Sequence, residues 1–483
     1  MSRSTRRTFV VGGFAGIASA QLPPLAIGQQ RLVLNDASRL NTTPVFSHWI
    51  AQEEPEAEFM ARLRRELKEA AAQKRPACVG AARHSMGGQS LPRNGAAMTF
   101  DIDRCEVDRS SRIARIHAGT RWFQVIAHLD KIGFSPAVTQ SNSDFGVAAT
   151  FSVNAHGWPA PYGPFGATVR SFRLMLADGS IVTCSRSENS DLFGLAMGGY
   201  GLFGVILDLD IDIVENVLLA PRQELMPAAQ LASSFVEAVT KDPTVRMAYG
   251  RLNVAKRGFL DEALLVTFRP RPTPAGGLPV AARTHPLSKI ARGIYRAQIG
   301  SESAKQVRWF AEAVAGPKAP TGVATRNMLM NQAVGNLQGR DRYRTDILHE
   351  YFIPPARFAE FIAGCRDIIP KAQADFLNIT LRYVAKDETS VLGYAATDRI
   401  AGVMSFSQTM TPEGEADMLR LTEALIDLVG TLGGSFYLPY RLHARPDQLE
   451  RVYPKLGHFI GRKRHYDPAL LFRNLMWDNY FSG

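Results

Sequence analysis

The chain has 483 residues, 46% hydrophobic and 21% charged, with 56 Lys plus Arg against 45 Asp plus Glu for a net charge of +11. That composition excludes a disordered, collagen-like or disulfide-stapled protein and leaves room for two or three domains of roughly 100–200 residues each. The positive charge is dispersed, with no dense Lys/Arg tract carrying interleaved aromatics, so no nucleic-acid partner is expected. Cys78, Cys105, Cys184 and Cys365 form neither a CxxC pair nor a zinc-spaced cluster with His. No metal site is expected, and isolated buried thiols suit the spacing, which allows a disulfide without demanding one.

The start, MSRSTRRTFVVGGFAGIASAQLPP, places Arg6-Arg7 before a weakly apolar run from Val10 to Ala20 and a small-residue Ala18-Ser19-Ala20 site. The run is too short to cross a bilayer core of roughly 30 Å as a helix. It resembles a twin-arginine export signal. Residues 1–28 are therefore expected to stand outside the fold, with a periplasmic or secreted mature chain that has no transmembrane segment and is exported already folded.

Residues 31–45 carry turn chemistry and a short strand, and 53–74 are predicted as an amphipathic helix with Phe59, Leu63 and Leu67 on one face, ended by Pro76. A short strand, Ala77-Cys78-Val79, then runs into Gly80. Strands are predicted within 96–120, a helix over 121–132 ending at Gly133, and an irregular Gly/Ser/Asn/Pro-rich segment over 139–170. A hairpin over 168–184 turns at Asp178-Gly179, and a β-branched run fills 200–216. Beyond 217 the texture changes. Pro/Gly-rich loops at 268–281 and 316–322 accompany strands at 347–354, 376–385 and 402–409, with helices at 355–366 and 413–430 between them. Two helices on one antiparallel sheet make an α+β unit.

Four motifs carry chemistry. Gly80-Ala81-Ala82-Arg83-His84-Ser85-Met86-Gly87-Gly88-Gln89 follows a strand, and such glycine punctuation lets successive amides converge on an anion such as a pyrophosphate; spacing alone fits a plain glycine turn equally well. The second comprises Asn142, Ser143 and Gly146 followed by Asn154-Ala155-His156-Gly157, where His156 suits either cofactor contact or acid/base work. The third, Gly199 to Gly204 followed by Val205-Ile206, matches GxGxxG literally but leads into a strand, which argues against a nicotinamide site. The fourth is the tail, with Tyr466-Asp467-Pro468, Phe472, Asn474 and Trp477.

These segments resemble the FAD-binding PCMH-type, or vanillyl-alcohol-oxidase, superfamily. The resemblance implies a two-lobed PCMH-type FAD-binding domain over 31–216, a substrate (cap) domain over 217–445 with helices packed on an antiparallel sheet, and a C-terminal segment, 446–483, returning to the first domain. It implies FAD as cofactor, contacted by Gly80, Ala82, Arg83, His84, Ser85, Met86, Gly87, Gln89, Asn142, Ser143, Gly146, Asn154, His156, Gly157, Gly199, Gly204, Val205, Ile206 and Asn474. His84, before Ser85, falls where relatives join a histidine covalently to the flavin; the element here is Ala-Arg-His-Ser rather than Gly-Gly-His-Ser. The absence of a cysteine near Gly146 rules out a second covalent link of the berberine-bridge kind. Arg382 occupies the position of an active-site Arg, while Thr380 stands where a Glu is found and Tyr440 where a Lys is found.

The implied activity is oxidation of a small alcohol, sugar, lactone or amine by hydride transfer to the flavin, with oxygen or an electron-carrier protein as acceptor. Arg382, Tyr440 and His156 are the expected catalytic residues, with Tyr437, His443 and Glu350 as further candidates facing the site. For Tyr440 to shuttle a proton by itself, its pKa must fall below the usual phenol value of about 10. Two other functions fit the same motifs: a non-catalytic exported flavin- or ligand-binding protein, and an FAD-dependent alkene reductase of the sterol-reductase type.

Overall fold

The computed structural model describes residues 32–282, 288–316, 322–333 and 341–482. The expected export segment, residues 1–28, and most of the 316–322 loop lie outside the described residues. The helix Glu56–Ala72 buries Phe59, Met60, Leu63, Leu67 and Ala70, the i, i+4, i+8 stripe that its sequence spells, and carries Glu56 and Glu58 in its first turn, where the helix dipole favours acids. It ends before Lys74, which adopts a positive φ of 53°.

The Ala77–Gly80 strand that follows joins Ala96–Phe100 and Ser47–Ala51 in a three-stranded parallel sheet with Ala96–Phe100 at its centre. The central strand is buried along its whole length, as both-sided covering of a parallel sheet requires. Next to it stands an antiparallel sheet in the order Ile181–Ser185, Val169–Met175, Val205–Glu215, Ile113–His117, Cys105–Asp108, with Phe134–Pro136 paired to the end of Val205–Glu215. The expected hairpin forms Val169–Met175 and Ile181–Ser185, turning at Gly179 with φ 82° while Asp178 accepts from the Ser180 amide at 2.9 Å. Two short helical pieces, Val147–Ser152 and Phe165–Thr168, interrupt the segment expected to be irregular, with Phe151 and Phe165 fully buried. Their apolar residues are too few to stand out against the surrounding Gly, Ser and Pro.

The second half folds on one antiparallel sheet of eight strands, ordered Ala324–Thr325, Leu218–Pro227, Glu262–Pro270, Met247–Leu252, Asp375–Val384, Arg399–Thr409, Arg344–Ile353, Ser435–Phe436. The helices Leu231–Lys241, Phe358–Ile368 and Pro412–Thr431 cover this part of the molecule, the last packing on Arg344–Ile353 and Arg399–Thr409. The architecture is thus α+β, as expected. The tail forms the helices Pro446–Val452, Leu456–Tyr466 and Leu475–Tyr480 and returns to the first half, where Ala77 bridges Phe472. Among the described residues the four cysteines are free thiols, and no helix is long and apolar enough to cross a membrane.

Candidate active site

Strand side chains alternate between faces. On Asp375–Val384 the polar Asn378, Thr380 and Arg382 share one face, and on Arg344–Ile353 so do Arg344, Asp346, Leu348 and Glu350. Together with Arg251, Val403 and Ser405 on neighbouring strands they form one wall of a cavity of about 1100 Å³. The pairing places Arg251 opposite Thr380, Thr380 opposite Val403, and Val403 opposite Glu350, one continuous row across the sheet. The glycine loop after Ala77–Gly80, the segment around Gln140–Gly146 and the Gly204–Ile206 turn line the opposite side.

At the centre lies a buried hydrogen-bonded group. Glu350, 4% exposed, accepts through Oε1 from His156 Nε2, and through Oε2 from the Tyr440 hydroxyl at 3.0 Å. Arg382 donates to the His156 carbonyl at 3.1 Å and to Ser141 Oγ. Burial pulls the His156 pKa below its usual value against the pull of the Glu350 charge, so the ring is neutral and donates its Nε2 proton. Burial alone raises the pKa of Glu350, but His156, Arg382 and the Tyr440 hydrogen bond outweigh it and hold the carboxylate ionised. Tyr440 is pushed well above the phenol range by burial and by the Glu350 charge. The lowered pKa that a lone Tyr440 shuttle requires is therefore absent: its hydroxyl is a neutral donor to Glu350. Tyr437 donates to the Val153 carbonyl at 2.7 Å, holding the His156 segment against the sheet.

The glycine loop is pinned by its neighbours. Asp36 accepts from the Gly88 amide at 2.8 Å, Gln89 donates to the Leu438 carbonyl at 2.7 Å, and Arg441 donates to the Met86 carbonyl at 3.2 Å. Met86 in turn donates its amide to Pro439 at 2.8 Å, so the loop and the Tyr440 segment are one piece of structure. His84 stacks on Phe145 at 4.5 Å between ring centroids. Burial lowers its pKa, with Asp144 opposing, which leaves a neutral imidazole.

Of the expected residues, Gly80, Ala82, Arg83, His84, Ser85, Met86, Gln89, Asn142, Gly146, His156, Gly204, Val205, Ile206, Arg382 and Tyr440 all line the cavity, as does Glu350. Six others stand behind its wall. A Cβ on Gly87, Gly157 or Gly199 meets a backbone oxygen at 2.4, 1.9 and 2.1 Å respectively, so each permits close chain packing. Ser143 bonds the Gln332 carbonyl, and Asn154, at φ 48°, ties Asp387 and the Gly166 amide together. Asn474 donates to the carbonyls of Gln89 at 2.8 Å and Tyr200 at 3.1 Å, supporting the lining without facing it. His443 also lies off the cavity, between Thr422 and Glu415. The GxGxxG segment leads into the strand Val205–Glu215, as its sequence indicates. Arg251, Ser141, Asn378, Ser405 and Tyr295 escape a motif search; polar residues at alternate positions of an otherwise apolar strand are the signal for Asn378, and Arg251 has none.

The residues fit a bound dinucleotide. Ser90 Oγ, Arg83 Nε, His156 Nδ1, Trp158 Nε1 and Arg382 Nε are buried on cavity-lining side chains without a partner among the described residues. Such atoms cost about 1–3 kcal/mol each unless a ligand or water satisfies them. The volume exceeds the roughly 300–1,000 Å³ of a small-ligand pocket, which leaves room for a second molecule beside a cofactor.

Residues 56–185 match the family model described as FAD binding domain. A 170-residue stretch is 31% identical to cytokinin dehydrogenase 7 of Oryza sativa subsp. japonica, covering 33% of this chain and 30% of that protein. Over 140 residues the chain is 31% identical to alditol oxidase of a Streptomyces species, covering 28% of this chain and 33% of the oxidase. Over 114 residues it is 32% identical to an FAD-dependent monooxygenase of Arthrobotrys oligospora, covering 23% and 22%. The chain therefore spans about a fifth to a third of the length of these relatives.

Proposed function

Because this chain belongs, through its 56–185 segment, to the PCMH-type FAD-binding oxidoreductases, we propose that it oxidises a small organic substrate, an alcohol, sugar, lactone or amine, with FAD tethered through His84 and loaded before twin-arginine export to the periplasm or beyond. The observation that carries the reading is the buried Glu350 carboxylate, bonded to His156 and Tyr440, at the wall of a cavity whose other side is the glycine loop.

Bound FAD supplies the acceptor for the electron pair of the substrate C–H bond as hydride. The protein's task is the remaining proton. A substrate hydroxyl against Tyr440 Oη gives up its proton as Tyr440 passes its own to Glu350 Oε2, so the phenol never becomes a phenolate and the carbonyl forms as the O–H bond breaks. His156 holds Glu350 Oε1 and thereby fixes the carboxylate. Arg382, with Nε unpartnered and no carboxylate bound to it among the described residues, stabilises negative charge developing on the substrate oxygen or on the ring system. Ala82 to Ser85 would hold the diphosphate of a bound FAD, and a neutral His84 is the form of imidazole that can act as a nucleophile.

The test is a spectrum of the acid-precipitated protein with its intact mass. Yellow colour in the pellet with a mass increase of one flavin supports the tether, and His84→Ala should release the colour to the supernatant. Colour retained by that variant removes His84 from the role. Anaerobic mixing with an alcohol, sugar, lactone and amine panel should bleach the band near 450 nm, and oxygen uptake then separates oxidase from dehydrogenase; a flavin that no member bleaches speaks for a non-catalytic protein.

A further inference from the structure

We propose that the substrate is an organic acid whose carboxylate is received by Arg251, several carbons away from the carbon that is oxidised. The proposal rests on the flavin-dependent reading above and deepens it.

Arg251 points from Met247–Leu252 into the cavity. Among the described residues it uses Nη1 alone, donating to Asn378 Oδ1 at 2.9 Å and to Thr380 Oγ1. Both acceptors are neutral, so they orient the guanidinium without cancelling its charge, and Tyr249 supports it at 5.4 Å. The other arginines on this side are spoken for: Arg296 pairs with Asp346, Arg308 with Glu312 and Arg344 with Asp375. No carboxylate among the described residues forms an ion pair with Arg251 or Arg382. This wall thus carries Arg382 beside Glu350, whose oxygens are committed to His156 and Tyr440, and Arg251 with no carboxylate partner among the described residues. A neutral alcohol leaves that charge unmatched in a partly dry site, whereas a carboxylate matches the planar fork of a guanidinium.

The cofactor's own anionic group does not fill this role. The glycine loop that faces a diphosphate is joined to Leu348 and Pro439, on the Glu350 side of the sheet. Arg251 is three strands from Glu350 along the Arg251–Thr380–Val403–Glu350 row. At roughly 4.8 Å per strand the two Cα atoms stand about 14 Å apart, and side chains reaching inward leave a span of several carbon–carbon bonds. A hydroxy acid or sugar acid bridges it with its carboxylate on Arg251 and its carbinol carbon beside Tyr440 and Glu350. Tyr295, Ser405 and Asn378 offer hydrogen bonds to hydroxyls between.

The test uses the FAD-loaded protein and three matched pairs: D-gluconate with D-sorbitol, L-threonate with L-threitol, and 4-hydroxybutyrate with 1,4-butanediol. Binding is read from perturbation of the visible flavin spectrum under anaerobic conditions, with bleaching as a second readout. At least one acid is expected to bind more tightly than its neutral counterpart. Arg251→Met should weaken that acid roughly 10- to 100-fold while leaving flavin content and thermal unfolding unchanged, and Arg251→Lys should recover part of the loss. Equal binding of acids and neutral counterparts overturns the proposal, as does unchanged acid binding in Arg251→Met. Loss of flavin from that variant also overturns it, because Arg251 then serves the cofactor. Wild-type protein that carries no flavin and takes none up is a separate outcome, which brings down the cofactor reading and this proposal with it.

Discussion

Acidification should loosen the protein through one buried histidine, and the amount can be worked out. His349 is 3% exposed, with Nδ1 facing the Tyr351 hydroxyl at 3.1 Å and Nε2 facing Thr422 Oγ1 at 3.2 Å. Burial, reinforced by nearby His443, pulls its pKa from 6.5 down to about 3. The unfolded chain binds a proton there below 6.5 and the folded chain does not, so stability falls as pH falls between those two values. At pH 5 the gap is about 1.5 units, or about 2 kcal/mol at 1.36 kcal/mol per unit. Thr422 also meets His443 at 3.0 Å, His443 meets Glu415 at 2.9 Å, Glu415 accepts from Arg441 at 3.1 Å, and Arg441 holds the Met86 carbonyl. A chain of hydrogen bonds therefore runs from His349 to the glycine loop. The assay is urea unfolding of wild type and His349→Gln at pH 7.5 and 5.0, followed by tryptophan fluorescence. The variant, which cannot titrate, should lose about 2 kcal/mol less between the two conditions. His117, held near 4 by burial, acts in the same direction but cancels in the comparison. Equal losses in the two proteins refute the reasoning.

Glu350→Gln should lower substrate-driven flavin reduction by about 10²–10⁴ while flavin content stays the same; a rate within threefold of wild type removes Glu350 as the proton acceptor. Its carboxylate is held below the ordinary range, so its contribution is complete above the ordinary value of 4.5 and is lost only as pH falls through the lower folded value. The stability gap between Glu350→Gln and wild type is accordingly expected to be flat from pH 5 to 8. Lys463 and Asp467 form an ion pair with both side chains 0% exposed, and Asp467→Ala strands a buried cation. A loss of about 3–5 kcal/mol in unfolding free energy is expected, and a loss below about 1 kcal/mol counts against a buried pair.

Much of the fold is legible because its first half is written in local signals. Phe59, Leu63 and Leu67 announce a helix by their spacing, Asp178-Gly179 announces a hairpin by its φ requirement, and the loop from Gly80 announces itself by glycines after a strand. The site is only half local. His84 and His156 sit within motifs, but Glu350 comes from a strand 194 residues away from His156 in sequence, and an ionisable residue in an apolar strand carries no label until its partners are known. Arg251 is harder still, since its meaning lies in the carboxylate it lacks. Thr380 illustrates the same limit: the sequence shows a missing Glu, while the structure shows its hydroxyl accepting from Arg251 and from Asn378 at 3.0 Å.

The tail shows why the last residues belong to the site without lining it. Lys463 donates to the Leu202 carbonyl at 2.6 Å and pairs with Asp467, whose carboxylate also accepts from the amides of Leu471 and Phe472 at 2.9 and 2.8 Å. Asn474, capping the final helix, holds the Gln89 and Tyr200 carbonyls at once. One side chain thus joins the glycine loop to the Gly199–Gly204 turn, two neighbouring backbone segments on the same side of the cavity. Buried charge is expensive to desolvate and yields little net stability by itself, so a pair this deep makes sense as a device for register. It fixes the tail so that Asn474 can hold those two segments at one separation behind the cavity lining.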